Sequence, residues 1–186
     1  YITLSDDVAT KENDTKVGAE VFWKIDSSKQ LNATFNPDFG QVESDELVVN
    51  FSAAETYYSD KRPFFAENQS MFEVQGYEMF YVINTRRIGG APDYNCSSFS
   101  SNLASSCSTS QKGTSDIDIA IRYIQQSEAL DFGFLGAFEK DEDFSQGRDF
   151  YATKFRKTSK DFSFGYLGTH VERPVLNREE IGRAHV

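Results

Sequence analysis

Apolar and polar residues alternate with a period of two along most of this chain, the signature of half-buried β-strands. Val17, Ala19, Val21, Trp23 and Ile25 share one face, with Gly18, Glu20 and Lys24 on the other. Asp26-Ser27-Ser28 supplies turn chemistry, and Leu31, Ala33 and Phe35 resume the alternation against Asn32, Thr34 and Asn36. This pattern predicts an antiparallel hairpin with one apolar and one polar face. Ile117, Ile119, Ile121 and Tyr123 alternate in the same way, as do Leu130, Phe132, Phe134 and Phe138. Tyr151, Thr153 and Phe155 follow, then Phe162, Phe164 and Tyr166. Polar connectors separate these runs. Each predicted strand is about 8 to 11 residues, enough to cross a bilayer at a tilt.

Two stretches break the rhythm. Residues 36–87 are dense in turn formers and charges, with a short helical turn expected around residues 52–58 and a strand over 77–83. Residues 89–114 are rich in Gly, Pro, Ser and Cys and are expected to form a loop. Residues 1–16 are polar and predicted to be a linker or loop, leaving 17–186 as a partial β-barrel domain. The polar start and the abrupt ends are expected of a piece of a longer exported chain whose signal lies upstream.

Alternation alone leaves two architectures open. A soluble β-sandwich turns its apolar face to a core, whereas a membrane barrel turns it to lipid and lines its lumen with the polar face. Gly, Ala and Ser sit beside charges at the polar positions, as a crowded interior requires. Aromatics such as Trp23, Tyr123, Phe138 and Tyr151 fall near strand ends, where a barrel carries its girdles. Both features favour the barrel.

Composition narrows the function classes. Aromatic residues make up 15% of the chain, with 17 Phe and 9 Tyr, which suits pleated surfaces better than a helical bundle. The net charge of −10 argues against nucleic acid as a partner. Cys96 and Cys107 close the short polar run CSSFSSNLASSC, and are expected to form a disulfide in an oxidising compartment. No CxxC occurs, and His170 and His185 are isolated, so no metal site and no cofactor are expected.

Candidate chemistry lies in the irregular stretch. Asp38, Glu43, Asp45 and Glu46 have the ligand type for Ca²⁺ but not the spacing of a calcium loop. A solvated loop, or partners for Arg62, Arg86 and Arg87, is the plainer reading. Lys61-Arg62-Pro63-Phe64-Phe65 reads as a corner fixed by Pro63 and anchored by two aromatic rings, or as a plug pairing with lumen carboxylates. The whole of 36–87 is expected to fold inward, because its aromatic residues are costly to leave in water. Lys61, Arg62, Arg86, Arg87, Glu43, Asp45 and Glu67 are its candidate plug or lumen residues. No serine-nucleophile elbow and no phosphate-cradling loop is present, so no catalytic residue is assigned.

The blocks NPDFGQVESD (36–45), ET (55–56), KRPFFAE (61–67) and RRIGGAP (86–92) follow one another in an order that carries a resemblance. They resemble a large bacterial family of uncharacterised exported proteins, with an N-terminal domain similar to family 9 carbohydrate-binding modules and a long C-terminal region of unknown function. Tyr57-Tyr58-Ser59-Asp60 departs from that family's usual Phe-Phe-Pro-Glu. The resemblance implies the Gram-negative outer membrane, an all-β barrel of antiparallel up-and-down hairpins, membrane lipid as partner, and the rest of the same polypeptide, with its carbohydrate-binding-like domain, as neighbour. It implies a structural or transport role linked to glycan handling, with a glycan as ligand. A carbohydrate-active hydrolase, which would need two convergent carboxylates, and a soluble β-sandwich binding module are the competing readings.

Overall fold

The fold was obtained as a computed structural model that describes residues 2–6, 17–37, 60–74, 80–81, 83–176 and 178–185. It is mostly β. Eight strands form one antiparallel sheet: β1 (Ile2–Asp6), β2 (Val17–Lys24), β3 (Lys29–Phe35), β6 (Ile117–Gln126), β7 (Leu130–Glu139), β8 (Asp149–Thr158), β9 (Ser163–Arg173) and β10 (Arg178–His185). Neighbouring strands pair in up-and-down order, and a long connection runs between β3 and β6. A minor two-stranded ribbon joins β4 (Glu73–Val74) to β5 (Phe80–Tyr81) within that connection. The sheet is open: among the described residues β1 and β10 are its edges and do not pair with each other.

The alternation in the sequence becomes the two faces of this sheet. Cross-strand register aligns Trp23, Leu31, Tyr123, Phe134 and Thr153 in one row, and Val21, Ala33, Ile121, Gly136, Tyr151 and His170 in another. Asn32, Arg122, Leu135, Ala152 and Thr169 form a row on the opposite face. It is this second face, with its small and polar residues, that is covered. Ala120, Ile124, Leu135, Ala137, Phe150, Ala152 and Leu167 of the sheet pack with Phe64, Phe65, Met71, Phe72 and Ile88 of the long connection. The aromatic face carries exposed side chains at Val17, Trp23, Phe35 and Phe164, with Trp23 57% and Phe164 54% accessible.

The covering segment is built from short pieces. Helix α1 (Pro63–Ala66) starts with Pro63 in its first turn, where a missing N–H costs nothing. Single 3₁₀ turns follow at Gln69–Phe72 and Thr85–Arg87. Gly133 lets the segment come close: a Cβ there would lie 3.1 Å from Met71 Cγ and 3.3 Å from the Phe72 ring. Small residues at Ala120, Ala137 and Ala152 lower the sheet surface in the same way.

Two local expectations need correction. Residues 2–6 are not linker but strand β1, paired to β2 from Ile2 opposite Val21 to Asp6 opposite Val17. ITLSD alternates over too few residues to register as a strand without its neighbour. Within the strand expected at 77–83, Phe80–Tyr81 form strand β5, and residues 77–79 and 82 lie outside the described residues. The Cys-containing loop holds helix α2 (Ser101–Thr109), a serine-rich segment of low helix propensity whose hydroxyls bond back to carbonyls one turn earlier. Cys96 and Cys107 are bonded as expected, with Cα atoms 5.6 Å apart. The helical turn expected around residues 52–58 lies outside the described residues.

Candidate functional site

Among the described residues, buried charge gathers where the long connection meets the covered face of the sheet. Burying an ion is expensive unless it is paired and its remaining hydrogen-bonding capacity is met, and here each buried ion is tied to the covering segment or to its neighbour. Arg62 is 1% exposed. Its Nε donates to Asp60 Oδ1 at 3.0 Å and its Nη2 to Asp60 Oδ2 at 2.7 Å. The same guanidinium donates to the carbonyls of Thr85 at 2.7 Å and Ile88 at 2.6 Å, and stacks 4.3 Å above the Phe65 ring. One arginine thus joins the KRPFF corner to the RRIGG turn. Only a planar fork with several fixed donors can hold a carboxylate and two carbonyls together.

A second knot joins the segment to the sheet. Arg122 rises from the middle of β6, on the row between Asn32 and Leu135, and donates to the carbonyls of Phe64 and Glu67 and to the Glu67 carboxylate. Asn32 and Gln30 of β3 also donate to Glu67, at 2.9 and 3.1 Å. Glu67 sits where α1 ends and gathers donors from two strands.

A third knot closes the other end. Glu139, the last residue of β7, accepts from Arg148 Nε and Nη2, both at 2.7 Å, and from the backbone N–H of Gly89 at 2.8 Å. Gly89 has φ +77°, a conformation that favours glycine. Arg148 Nη2 reaches on to the carbonyls of Arg87 and Gly90. Beyond it, Arg173 at the end of β9 forms a two-pronged pair with Asp93 at 2.5 and 2.8 Å. The Asp93 carboxyl is held below its usual range, chiefly by the hydrogen bond from Arg173. Asp131 and Arg156 pair across β7 and β8 on the same face.

The residues singled out from sequence are distributed as follows. Arg62 and Glu67 are central to the first two knots. Lys61 is exposed, while Arg86 and Arg87 stand on the Thr85–Arg87 turn beside the third. Glu43 and Asp45, like Asp38 and Glu46, lie outside the described residues. Arg122, Glu139, Arg148, Arg173, Asp60 and Asp93 were not singled out. A signal existed for Arg122: a charge at the centre of a strand, flanked on its own face by Ala120 and Ile124, needs a partner from elsewhere. No comparable signal marks Arg148 or Arg173, which sit at strand ends where charge is ordinary. Among the described residues no three His, Cys, Asp or Glu side chains converge as metal ligands.

Residues 1–150 match the model of a family described as a domain of unknown function, DUF5916. No curated protein and no solved structure matches the chain.

Proposed function

The chain belongs to the DUF5916 family of unknown function, and from the two faces of its sheet we propose that it forms part of the wall of an outer-membrane β-barrel, with the segment around residues 60–92 lying inside as a plug. One observation carries the reading: the sheet covers its small, polar, charge-bearing face and leaves its aromatic face open. A soluble β-layer does the reverse.

The open face has the layout that lipid demands. From β2 to β9, its interior positions hold no Asp, Glu, Lys or Arg. Charges return only at the rims: Lys29 and Lys157 at one end, Asp149 and Glu172 at the other. Along β8 the eight steps from Asp149 to Lys157 span about 26 Å at ~3.3 Å each, or about 20 Å of height at a tilt near 40°, comparable with the ~25 Å apolar band of such barrels. Aromatic clusters mark both margins: Phe138 with Tyr151 and His170 near the acidic rim, and Tyr123 with Phe132 near the basic one. No helix among the described residues is long and apolar enough to cross a membrane.

The role that follows is structural or transport, with the plug setting what passes. Glycan handling rests on the resemblance of the 36–92 blocks alone and is proposed on that footing. Trp23 is the single tryptophan of the chain and stands on the open face, so it reports on the surroundings of that face. After refolding into vesicles, brominated acyl chains should quench its fluorescence strongly, and aqueous acrylamide weakly. Weak quenching by both agents, with the chain monomeric and folded without detergent, would favour a soluble sandwich in which a second layer covers the aromatic face, and strong acrylamide quenching would place that face in water.

A further inference from the structure

Three connections meet at the end of the sheet that carries the disulfide: the 3₁₀ turn Cys96–Ser98, the β7–β8 connection at residues 140–148, and the turn Pro174–Leu176 after β9. Between them lies a cleft of roughly 340 Å³. Phe99, Phe144 and Val175 supply its apolar lining, and Asn95, Asp143 and Gln146 supply polar groups. We propose that this cleft is a binding site for a neutral hydroxylated ring, a pyranose of one or two sugar units.

A sugar ring offers two kinds of surface, C–H groups on its faces and hydroxyls around its edge. Aromatic rings pack against the first. Planar amides and carboxylates suit the second, because each holds two polar atoms that can meet neighbouring hydroxyls. Both are present here. The Phe99 and Phe144 rings lie 5.7 Å apart at 81°, forming a corner and not a closed stack, and Phe99 remains 39% exposed. Asn95 Oδ1 accepts from Ser97 Oγ at 2.9 Å. The Asn95 amide donors, the Gln146 side-chain amide and the Asp143 carboxylate have no hydrogen bond or ion pair among the described residues. Charge narrows the ligand to a neutral one. Glu142 is already paired with Lys112, and the carboxylates of Glu142 and Asp143 repel an anion. An ammonium would use only acceptors and leave the amide donors unmet.

The frame around the cleft is fixed before a ligand arrives, which lowers the ordering cost of binding. The Cys96–Cys107 bond ties the first turn to α2, and the Phe99 N–H donates to the Cys96 carbonyl at 3.3 Å. Glu142 and Ser145 exchange backbone hydrogen bonds at 2.7 and 3.2 Å, closing the turn that carries Asp143 and Phe144. The Lys112–Glu142 pair joins that turn to the Cys-containing segment. The volume is at the small end of the range for small-molecule sites. The inference deepens the glycan part of the proposed function and rests on that part, but it does not depend on whether the open face of the sheet meets lipid.

Saturation-transfer nuclear magnetic resonance on the full chain, in a detergent without a sugar headgroup, would compare methyl glucoside, methyl galactoside, cellobiose, glucuronate and cyclohexylmethanol. The expected result is binding of at least one neutral sugar, with glucuronate and cyclohexylmethanol each at least about tenfold weaker. Phe99→Ala should weaken that sugar by about tenfold, and Gln146→Ala by about fivefold, both with the wild-type far-ultraviolet spectrum. No binding of any neutral sugar would overturn the proposal, as would equal binding of cyclohexylmethanol or glucuronate. Neutral sugars bound equally well by wild type and both folded variants would leave glycan handling standing and remove it from this cleft. If Phe99→Ala does not fold, Gln146→Ala decides, since its side chain is exposed and supports no other contact among the described residues: unchanged affinity there overturns the assignment.

Discussion

At the scale of single residues, the ions on the covered face separate into those that are sealed and those that remain in contact with water. Arg62 and Asp60 are both buried, so removing one member strands the other. Arg62→Ala should destabilise the covering segment by about 3–5 kcal/mol, the usual consequence of an uncompensated buried charge. Arg62→Lys should recover little, since an ammonium cannot hold a carboxylate and two carbonyls at once. Limited proteolysis between residues 60 and 90 reads both, with cleavage expected to be faster in each variant than in wild type. Asp93 is a different case. Its carboxyl is held low by the hydrogen bond from Arg173, so the folded state binds that proton less readily than the unfolded chain. Its stabilising effect is therefore complete above the ordinary aspartate range and disappears as pH falls through the lowered folded value. The stability gap between wild type and Asp93→Asn should be present at pH 6 and close as pH falls below about 4. A gap that widens in acid would contradict this assignment.

At the scale of elements, the contact between the long connection and the sheet depends on how closely the two approach. Met71 and Phe72 rest on Gly133 of β7. Gly133→Val would drive a branched side chain into atoms already at 3.1 to 3.3 Å, and overpacking of that kind typically costs about 1–3 kcal/mol. Gly113, by contrast, has nothing within 4 Å of a built Cβ, so Gly113→Ala should be close to neutral. Chemical denaturation of the two variants side by side would check this, and equal midpoints would show that the segment does not press on Gly133. The disulfide works on another element. It ties the 3₁₀ turn Cys96–Ser98 to helix α2, holding a serine-rich segment that would be a poor helix in isolation.

At the scale of the whole molecule, one sheet presents two surfaces with different demands. The covered surface has its own core and ion pairs, and among the described residues the aromatic surface leaves side chains such as Trp23 and Phe164 exposed. Phe134 lies near the middle of that open surface, between Tyr123 and Thr153 in the register. Phe134→Arg should weaken membrane insertion by about 2–4 kcal/mol if that position meets the centre of the bilayer. Urea titration in lipid vesicles measures the difference. The same substitution leaving vesicle-borne stability unchanged would remove the open face from contact with lipid.

The strands of the main sheet were legible in the sequence from β2 to β9, because a period of two needs only local information: Trp23, Leu31, Phe134 and Phe164 declare a common face by their spacing alone. The long irregular stretch, and its anchors Phe64 and Phe65, were legible too, since a cluster of aromatics among charges must be buried somewhere. The short strand Ile2–Asp6 and helix α2 were not, because each is held by a partner distant in sequence or by a covalent bond and not by its own propensity. Nor were the ion pairs. Arg122 meets Glu67 across 55 positions, and Arg173 meets Asp93 across 80. The sequence offers 19 basic and 29 acidic residues from which to choose. Which face of the sheet is covered belongs to the same category. Alternation defines two faces without saying which one meets protein, and only the return of residues 60–90 across Ala120, Gly133 and Ala152 decides that the small, charged face is the inner one.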